Sequence, residues 1–188
     1  MNSAMSELTR KLRPVIGPLR GKEVRAAIAA AKAHLARQLS DHYRMLGAEL
    51  RIDKPSKVGK VPDRIIGVLV ADYAQRRNLE VLVDTRGKVA KVVDLMGAQP
   101  AYTSEEIAEA RAIAEQDSRV ALYARKKGSF ASEFGPERAP DNARRIGLRY
   151  AVVDKGRVSG GAVHAIVDLS AGRLVHFDET LAEPGSGR

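Results

Sequence analysis

"AVHAIVDLSAGRLVHF", Ala162 to Phe177, is the stretch whose reading decides the fold. Alternating apolar and polar residues flank a short turn that ends in Gly, the pattern of an antiparallel hairpin. A closely similar run, "LEVLVDTRGKVAKVV", occupies Leu79 to Val93, about 80 residues earlier. Three matches recur in the same order. Ile66-Gly67 falls on Ile146-Gly147, Val83-Asp84 on Val167-Asp168, and Gly87-Lys88-Val89 on Gly172-Arg173-Leu174, with one residue inserted in the second turn. Shared order points to a duplicated unit.

Each hairpin implies a register. A Ser170-Ala171-Gly172 loop with Gly172 left-handed sets Val167 opposite Val175 and Ala165 opposite Phe177, with Val163 on the same apolar face. The other face receives His164, Ile166, Asp168, His176 and Asp178. In the earlier copy, a Thr85-Arg86-Gly87 loop sets Val83 opposite Val89 and Leu79 opposite Val93. Each sheet is then apolar on one side and mixed on the other, as expected where a helix covers one face. On that register the mixed faces leave Ile166, Leu174, Leu82 and Val92 exposed.

Working outward, Lys22 to Leu46 reads as a helix. Val24, Ile28, Ala31, Leu35, Leu39 and Leu46 follow steps of three, four or seven, and six alanines lie between Ala26 and Ala33. Gly47 is the expected stop. "AELRID" and "RIIGVLVADYA" read as strands before the first hairpin. In "TSEE", Thr103 and Glu106 form a capping box that opens a second helix through "IAEARAIAEQD". "RVALYAR" and "RIGLRYAVVD" then supply the two remaining strands of the second unit, separated by a long loop. The expected fold class is α+β, with two tandem helix-plus-four-stranded antiparallel units at 22–99 and 100–178. Residues 1–21 form an irregular arm and 179–188 a disordered tail.

The composition narrows the function. The core is aliphatic, since the chain is 44% hydrophobic but only 4% aromatic, with no Trp. Zero Cys excludes disulfides, thiolate metal sites and a Cys nucleophile. No apolar run reaches the roughly 18–20 residues a bilayer span needs. A cytoplasmic protein with no membrane partner is expected. The +9 charge is uneven: positions 1–60 hold 13 Lys and Arg against 5 Asp and Glu, and positions 61–188 hold 19 against 18. A basic N-terminal region attracts an acidic protein, an anionic partner or nucleic acid. No nucleic-acid-binding motif accompanies it, and a solvated helix face explains it equally well.

A helix followed by four antiparallel strands, ending in a "VDL-x-x-G-x-V" hairpin, resembles the tandem accessory domains of copper amine oxidases, usually called N2 and N3. Those domains look like the cystatin and NTF2 type of α+β fold. The likeness covers Lys22 to Asp178 and includes "TSEEIAEARAIAEQDSRV" as the passage from helix to strand. It implies a pair of accessory units that do not themselves oxidise amines. The oxidase signatures are absent, since no Tyr follows an Asn and no two His stand two apart.

Three groups of residues carry candidate chemistry. Tyr150, His164, Asp168 and His176 are the nominated acid–base cluster, an arrangement an NTF2-like cyclase, isomerase or hydrolase would use. His34 and His42 read as surface positions. No phosphate loop, HExxH or Gly-x-Ser-x-Gly elbow is present, and "GRVSGG", Gly156 to Gly161, reads as an ordinary turn. No cofactor or metal is expected. The long loop "KKGSFASEFGPERAPDNAR", Lys126 to Arg144, holds two of the three Phe. Phe130, Phe134, Lys126, Lys127 and Arg138 make it a candidate docking loop, or else an Ω-loop packed down by its own Phe residues. The leading expectation is a non-catalytic recognition or assembly protein that binds a peptide, a protein or a second copy of itself through sheet edges or faces. An NTF2-like enzyme and a nucleic-acid binder are the alternatives.

Overall fold

In the computed structural model, residues 17–52, 64–135, 141–154 and 157–180 are described, without the side chains of 154 and 157–160. Two open four-stranded sheets, each with its own helical cover, make an α+β fold of two tandem units. The first unit takes the chain up to Asp72 together with Asn78–Leu95, and the second takes Tyr73–Arg77 together with the chain from Met96 onward. Most of the expected arm, the basic "KPSKVGKVPD" stretch and positions 181–188 lie outside the described residues.

In the first unit, helix α1 (Gly21–Leu35) precedes strands β1 (Tyr43–Ile52), β2 (Arg64–Asp72), β3 (Arg77–Asp84) and β4 (Val89–Asp94), ordered β1-β2-β3-β4. The Glu23 carboxylate accepts the Arg20 N–H at 2.7 Å and starts the helix. Arg64 holds the approach by donating to the Gly17 and Pro18 carbonyls. Ala27, Ala31 and Leu35, four apart, press one helix stripe onto Ile66, Val68, Val70, Leu79, Val81 and Val83. Truncating fully buried Leu35 to Ala costs about 2–5 kcal/mol.

The helix stops eleven residues short of the expected Leu46. Leu39 and Leu46 keep helical spacing, but the Asp72 carboxylate accepts both the Ser40 N–H (3.0 Å) and the Ser40 hydroxyl (2.6 Å) and turns the chain back. Tyr43 to Leu46 therefore begin β1. Gly47 is not a helix stop; it follows a bulge at Leu46, where the β1–β2 register slips by one.

In the second unit, helices α2 (Ser104–Ala114) and α3 (Ser118–Ala124) precede β5 (Ser129–Phe134), β6 (Arg145–Asp154), β7 (Arg157–Asp168) and β8 (Arg173–Thr180), ordered β5-β6-β7-β8. The capping box is present: Thr103 Oγ1 accepts the Glu106 N–H and Glu106 Oε2 accepts the Thr103 N–H. α2 buries Glu106, Ala110 and Ala114 at the spacing α1 uses. "RVALYAR" is helical rather than extended. Asp117 caps it by accepting the Arg119 N–H at 2.9 Å, and Val120, Ala121 and Tyr123 are its buried residues. The Arg119 side chain and amide bring the Asp117 carboxyl down to about 2. A short apolar run of this kind has no decisive period.

The missing strand comes from the expected long loop. "SFASEF" pairs in register with β6, from Ser129 opposite Val152 to Phe134 opposite Gly147. The β7 end of "GRVSGG" is likewise strand, with Arg157 opposite Asp154 and a register shift before Ala162.

Both predicted hairpin turns have left-handed glycines, Gly87 at φ 81° and Gly172 at φ 62°. Val83 faces Val89 and Ala165 faces Phe177 as expected. Beyond these pairs the register is corrected at the same place in both copies. Ala90 and Val175 are bulged, so Leu79 faces Asp94 and Val167 faces Leu174. One extra residue swaps faces. Val92 thus packs against the core and Leu174 turns to the helix side, while Val175 is exposed. Ala90 and Val175 each lie three residues after the turn glycine, so the two hairpins carry the same irregularity at the same place.

Candidate functional site

The open face of the second sheet is built by alternation along each strand. Ile146, Leu148 and Tyr150 of β6 face the helices and are buried, so Gly147, Arg149 and Ala151 face away. Pairing across β5 brings Phe134, Ser132 and Phe130 to that open face, opposite those three residues. From β7 come His164 and Ile166, opposite Asp178 and His176 of β8.

Phe130 and Phe134 are 41% and 40% exposed, on an edge strand where aromatic surface is normally withheld from water. The Phe134 ring lies across Gly147 and meets His164 edge-on, with centroids 5.9 Å apart and planes at 72°. A Cβ at position 147 would overlap that ring, so Gly147 is what lets the aromatic lie flat on the sheet.

Gly67 holds the equivalent place in the first unit and is covered differently. A Cβ there would overlap the Glu80 carboxylate. Arg51 donates to Glu80 at 2.6 Å and pairs with Glu49 at 2.8 Å. The first copy neutralises this spot with its own ions; the second presents aromatic surface.

Tyr150, His164, Asp168 and His176 are not brought together. Tyr150 lies on the helix side, 1% exposed, and donates to Glu115 at 3.3 Å. Burial, reinforced by the Glu115 charge and bond and opposed by Arg111, pushes its hydroxyl pKa far up. Asp168 holds the β7–β8 turn: its carboxylate accepts the Ala171 N–H at 3.0 Å and stands 3.6 Å from the Arg145 guanidinium. Asp84 does the same in the first copy, accepting the Arg86 and Lys88 N–H groups. His164 and His176 do share the open face. Among the described residues, no three His, Cys, Asp or Glu are placed to hold a metal ion.

Of the expected docking residues, Phe130 and Phe134 stand on β5 rather than in a loop. Lys126 and Lys127 precede that strand, exposed, with the Lys126 ammonium 3.7 Å from the Tyr123 ring centroid. Arg138 lies outside the described residues. The described basic residues of α1, Lys22, Arg25 and Lys32, are on or near its solvent side, and His34 is exposed. No described helix is long and apolar enough to cross a membrane.

Arg144, the largest fully buried side chain, carries no signal in the sequence. It donates to both Glu106 oxygens at 2.8 and 2.9 Å, to the Pro100 and Ala101 carbonyls, and stacks 4.5 Å from the Tyr102 ring centroid. The Tyr73 hydroxyl also donates to Glu106, at 2.9 Å. Nothing in "APDNAR" announces a buried Arg.

No protein family and no curated protein matches this chain. Among solved structures it is similar to the Bacillus megaterium YpeB C-terminal domain, at 10% identity and a TM-score of 0.27. That alignment covers 86% of this chain and 63% of the other, so the chain spans less than two thirds of that structure. The tandem α+β architecture rests on the strand pairing described above.

Proposed function

We propose that this chain is a recognition or assembly protein whose second unit accepts an extended partner strand at β5. A single observation carries the reading. Of the four edge strands, β1, β4 and β8 each contain a bulge, at Leu46, Ala90 and Val175, whereas β5 pairs without a slip. Bulges twist an edge away from a would-be neighbour, and three rims are blunted in this way. The fourth stays straight and carries exposed aromatics.

The backbone of β5 is also oriented for the task. Val153 N–H donates to the Gly128 carbonyl at 2.9 Å. Antiparallel alternation then directs Phe130, Ser132 and Phe134 into the ladder with β6 and turns Ser129, Ala131 and Glu133 to the rim. The Ser129 N–H is taken by the Lys126 carbonyl at 3.0 Å and the Ala131 carbonyl by Arg111 at 3.1 Å, so the Ala131 N–H and the Glu133 groups are the core of the receptive edge. A strand added there gains main-chain bonds, with Phe130 and Phe134 as side-chain anchors. Lys126, Lys127 and Arg149 favour acidic residues in such a partner. This reading agrees in kind with the accessory role that the copper amine oxidase resemblance implies. A cytoplasmic setting goes with it, because a Cys-free chain asks nothing of an oxidising compartment.

The test is an array of immobilised extended peptides, acidic and neutral, probed with the full chain and with Ala131→Pro and Phe134→Ser. Proline is tolerated at a rim but removes the Ala131 donor. Acidic peptides are expected to be captured by the parent and lost by both variants. Capture that survives both substitutions, or no capture together with a strictly monomeric protein, overturns the reading.

A further inference from the structure

We infer that the strand received at β5 is the β5 of a second copy of this chain, an inference that rests on the reading of β5 as the receptive edge. "SFASEF" is self-complementary in one antiparallel register. Ser129, Ala131 and Glu133 face the rim, and the Ser129 N–H is turned back on the Lys126 carbonyl, so a symmetric pairing sets rim-facing residues opposite one another about an axis between Ala131 and Glu133. A two-fold axis at Glu133 brings two carboxylates face to face, which is unfavourable. An axis at Ala131 pairs Phe130 with the partner's Ser132 and leaves Phe134 without an opposite aromatic. An axis at Ser132 pairs Phe130 with the partner's Phe134, twice, on the open face. It also sets Ala131 opposite the partner's Glu133, twice, on the helix side.

Charge favours the same register. Arg111 of α2 reaches over the rim, donating to the Ala131 carbonyl at 3.1 Å with its guanidinium 3.8 Å from its own Glu133. Its Nε is buried without a hydrogen-bond partner in the single chain. The partner's Glu133, arriving opposite Ala131, comes in beside that guanidinium. Each Arg111 then exchanges its bond to the Ala131 carbonyl for a carboxylate, and the carbonyl takes a backbone N–H from the added strand. The result is one sheet of eight strands. The bulged rims of the other edges make it a closed pair rather than a growing chain.

Mass measured by light scattering against concentration is expected to rise from one chain to two. Ser132→Cys gives a direct readout, because the parent has no Cys and the axis passes through this position. A non-hydrogen-bonded pair sits about 4.5 Å apart at Cα, within disulfide range. Pairing raises the local thiol concentration to the millimolar range, so Ser132→Cys should oxidise to a covalent dimer roughly tenfold faster than Ala90→Cys on the bulged β4 rim. Glu133→Lys should abolish the dimer, and Glu133→Lys with Arg111→Glu should restore it. A monomer at every concentration, equal cross-linking at the two positions, or no rescue by the charge swap overturns self-pairing. A monomer that still captures peptides through Ala131 overturns self-pairing alone and leaves the edge reading intact.

Discussion

Glu106→Ala removes a carboxylate that is 0% exposed and receives four hydrogen bonds, from Arg144 Nε and Nη2, Tyr73 Oη and the Thr103 N–H. The Arg144 guanidinium would then be a buried charge facing a cavity. Removing one member of such a pair costs about 3–5 kcal/mol, a large share of the roughly 5–15 kcal/mol that holds a domain together. Arg144→Met should cost a similar amount for the converse reason. It also orphans the Pro100 and Ala101 carbonyls. Glu106→Ala with Arg144→Met leaves no unpaired charge, so its cost should fall short of the sum of the two single changes by about 1–3 kcal/mol. Urea unfolding followed by tyrosine fluorescence suits the measurement. The chain has five Tyr and no Trp, and all but Tyr43 belong to the second unit. With a slope of about 1–3 kcal/mol per molar urea, each single change should lower the midpoint by about 1–5 M. Additive costs, or a Glu106→Ala midpoint within error of the parent, would refute this account of the buried pair.

Two further predictions concern the same unit. Burial raises the Glu106 pKa, but the bonds and charge of Arg144, with the Thr103 amide and Tyr73, outweigh it and hold the carboxyl below its ordinary 4.5. A group whose folded pKa is depressed stabilises the fold above its unfolded pKa. The second unit should therefore keep this contribution above about pH 4.5 and lose it as acid titrates through the lower folded value, with a shallower acid slope in Glu106→Gln. At the open face, Gly147→Ala should cost about 0.5–1.5 kcal/mol by pushing the exposed Phe134 ring off its preferred rotamer. Most of that loss should vanish in a Phe134→Ala background, as thermal unfolding of the two single variants and the double would show.

The parts of the fold legible in the sequence are those set by local chemistry. Gly87 and Gly172 supply left-handed turns, Thr103 and Glu106 cap a helix, and strand alternation separates the two sheet faces. The illegible parts depend on distant partners. Leu39 and Leu46 satisfy a helical period, yet Asp72, far along the chain, ends the helix through Ser40. "RVALYAR" fits either period, and Asp117 decides it. "SFASEF" reads as loop because Gly128 and Gly135 bracket it, although Phe130, Ser132 and Phe134 alternate as a strand should. The bulges at Ala90 and Val175 have no local signal, and they exchange the faces expected for Val92 and Leu174. For the site, the Phe pair is visible by composition but its rim placement is not. Tyr150 reads onto the His164 side because only its strand partners, far off in sequence, fix the face it takes.

The alanines beneath the helices bear on what could be engineered into this scaffold. Ala27 and Ala31 in one copy, and Ala110 and Ala114 in the other, are almost wholly enclosed, and such small side chains leave little thickness between helix and sheet. A hollow large enough for a metabolite would require the helix to stand further off. Ala110 and Ala114 are therefore the levers by which a designer would pry the layers apart and turn a thin slab into a vessel.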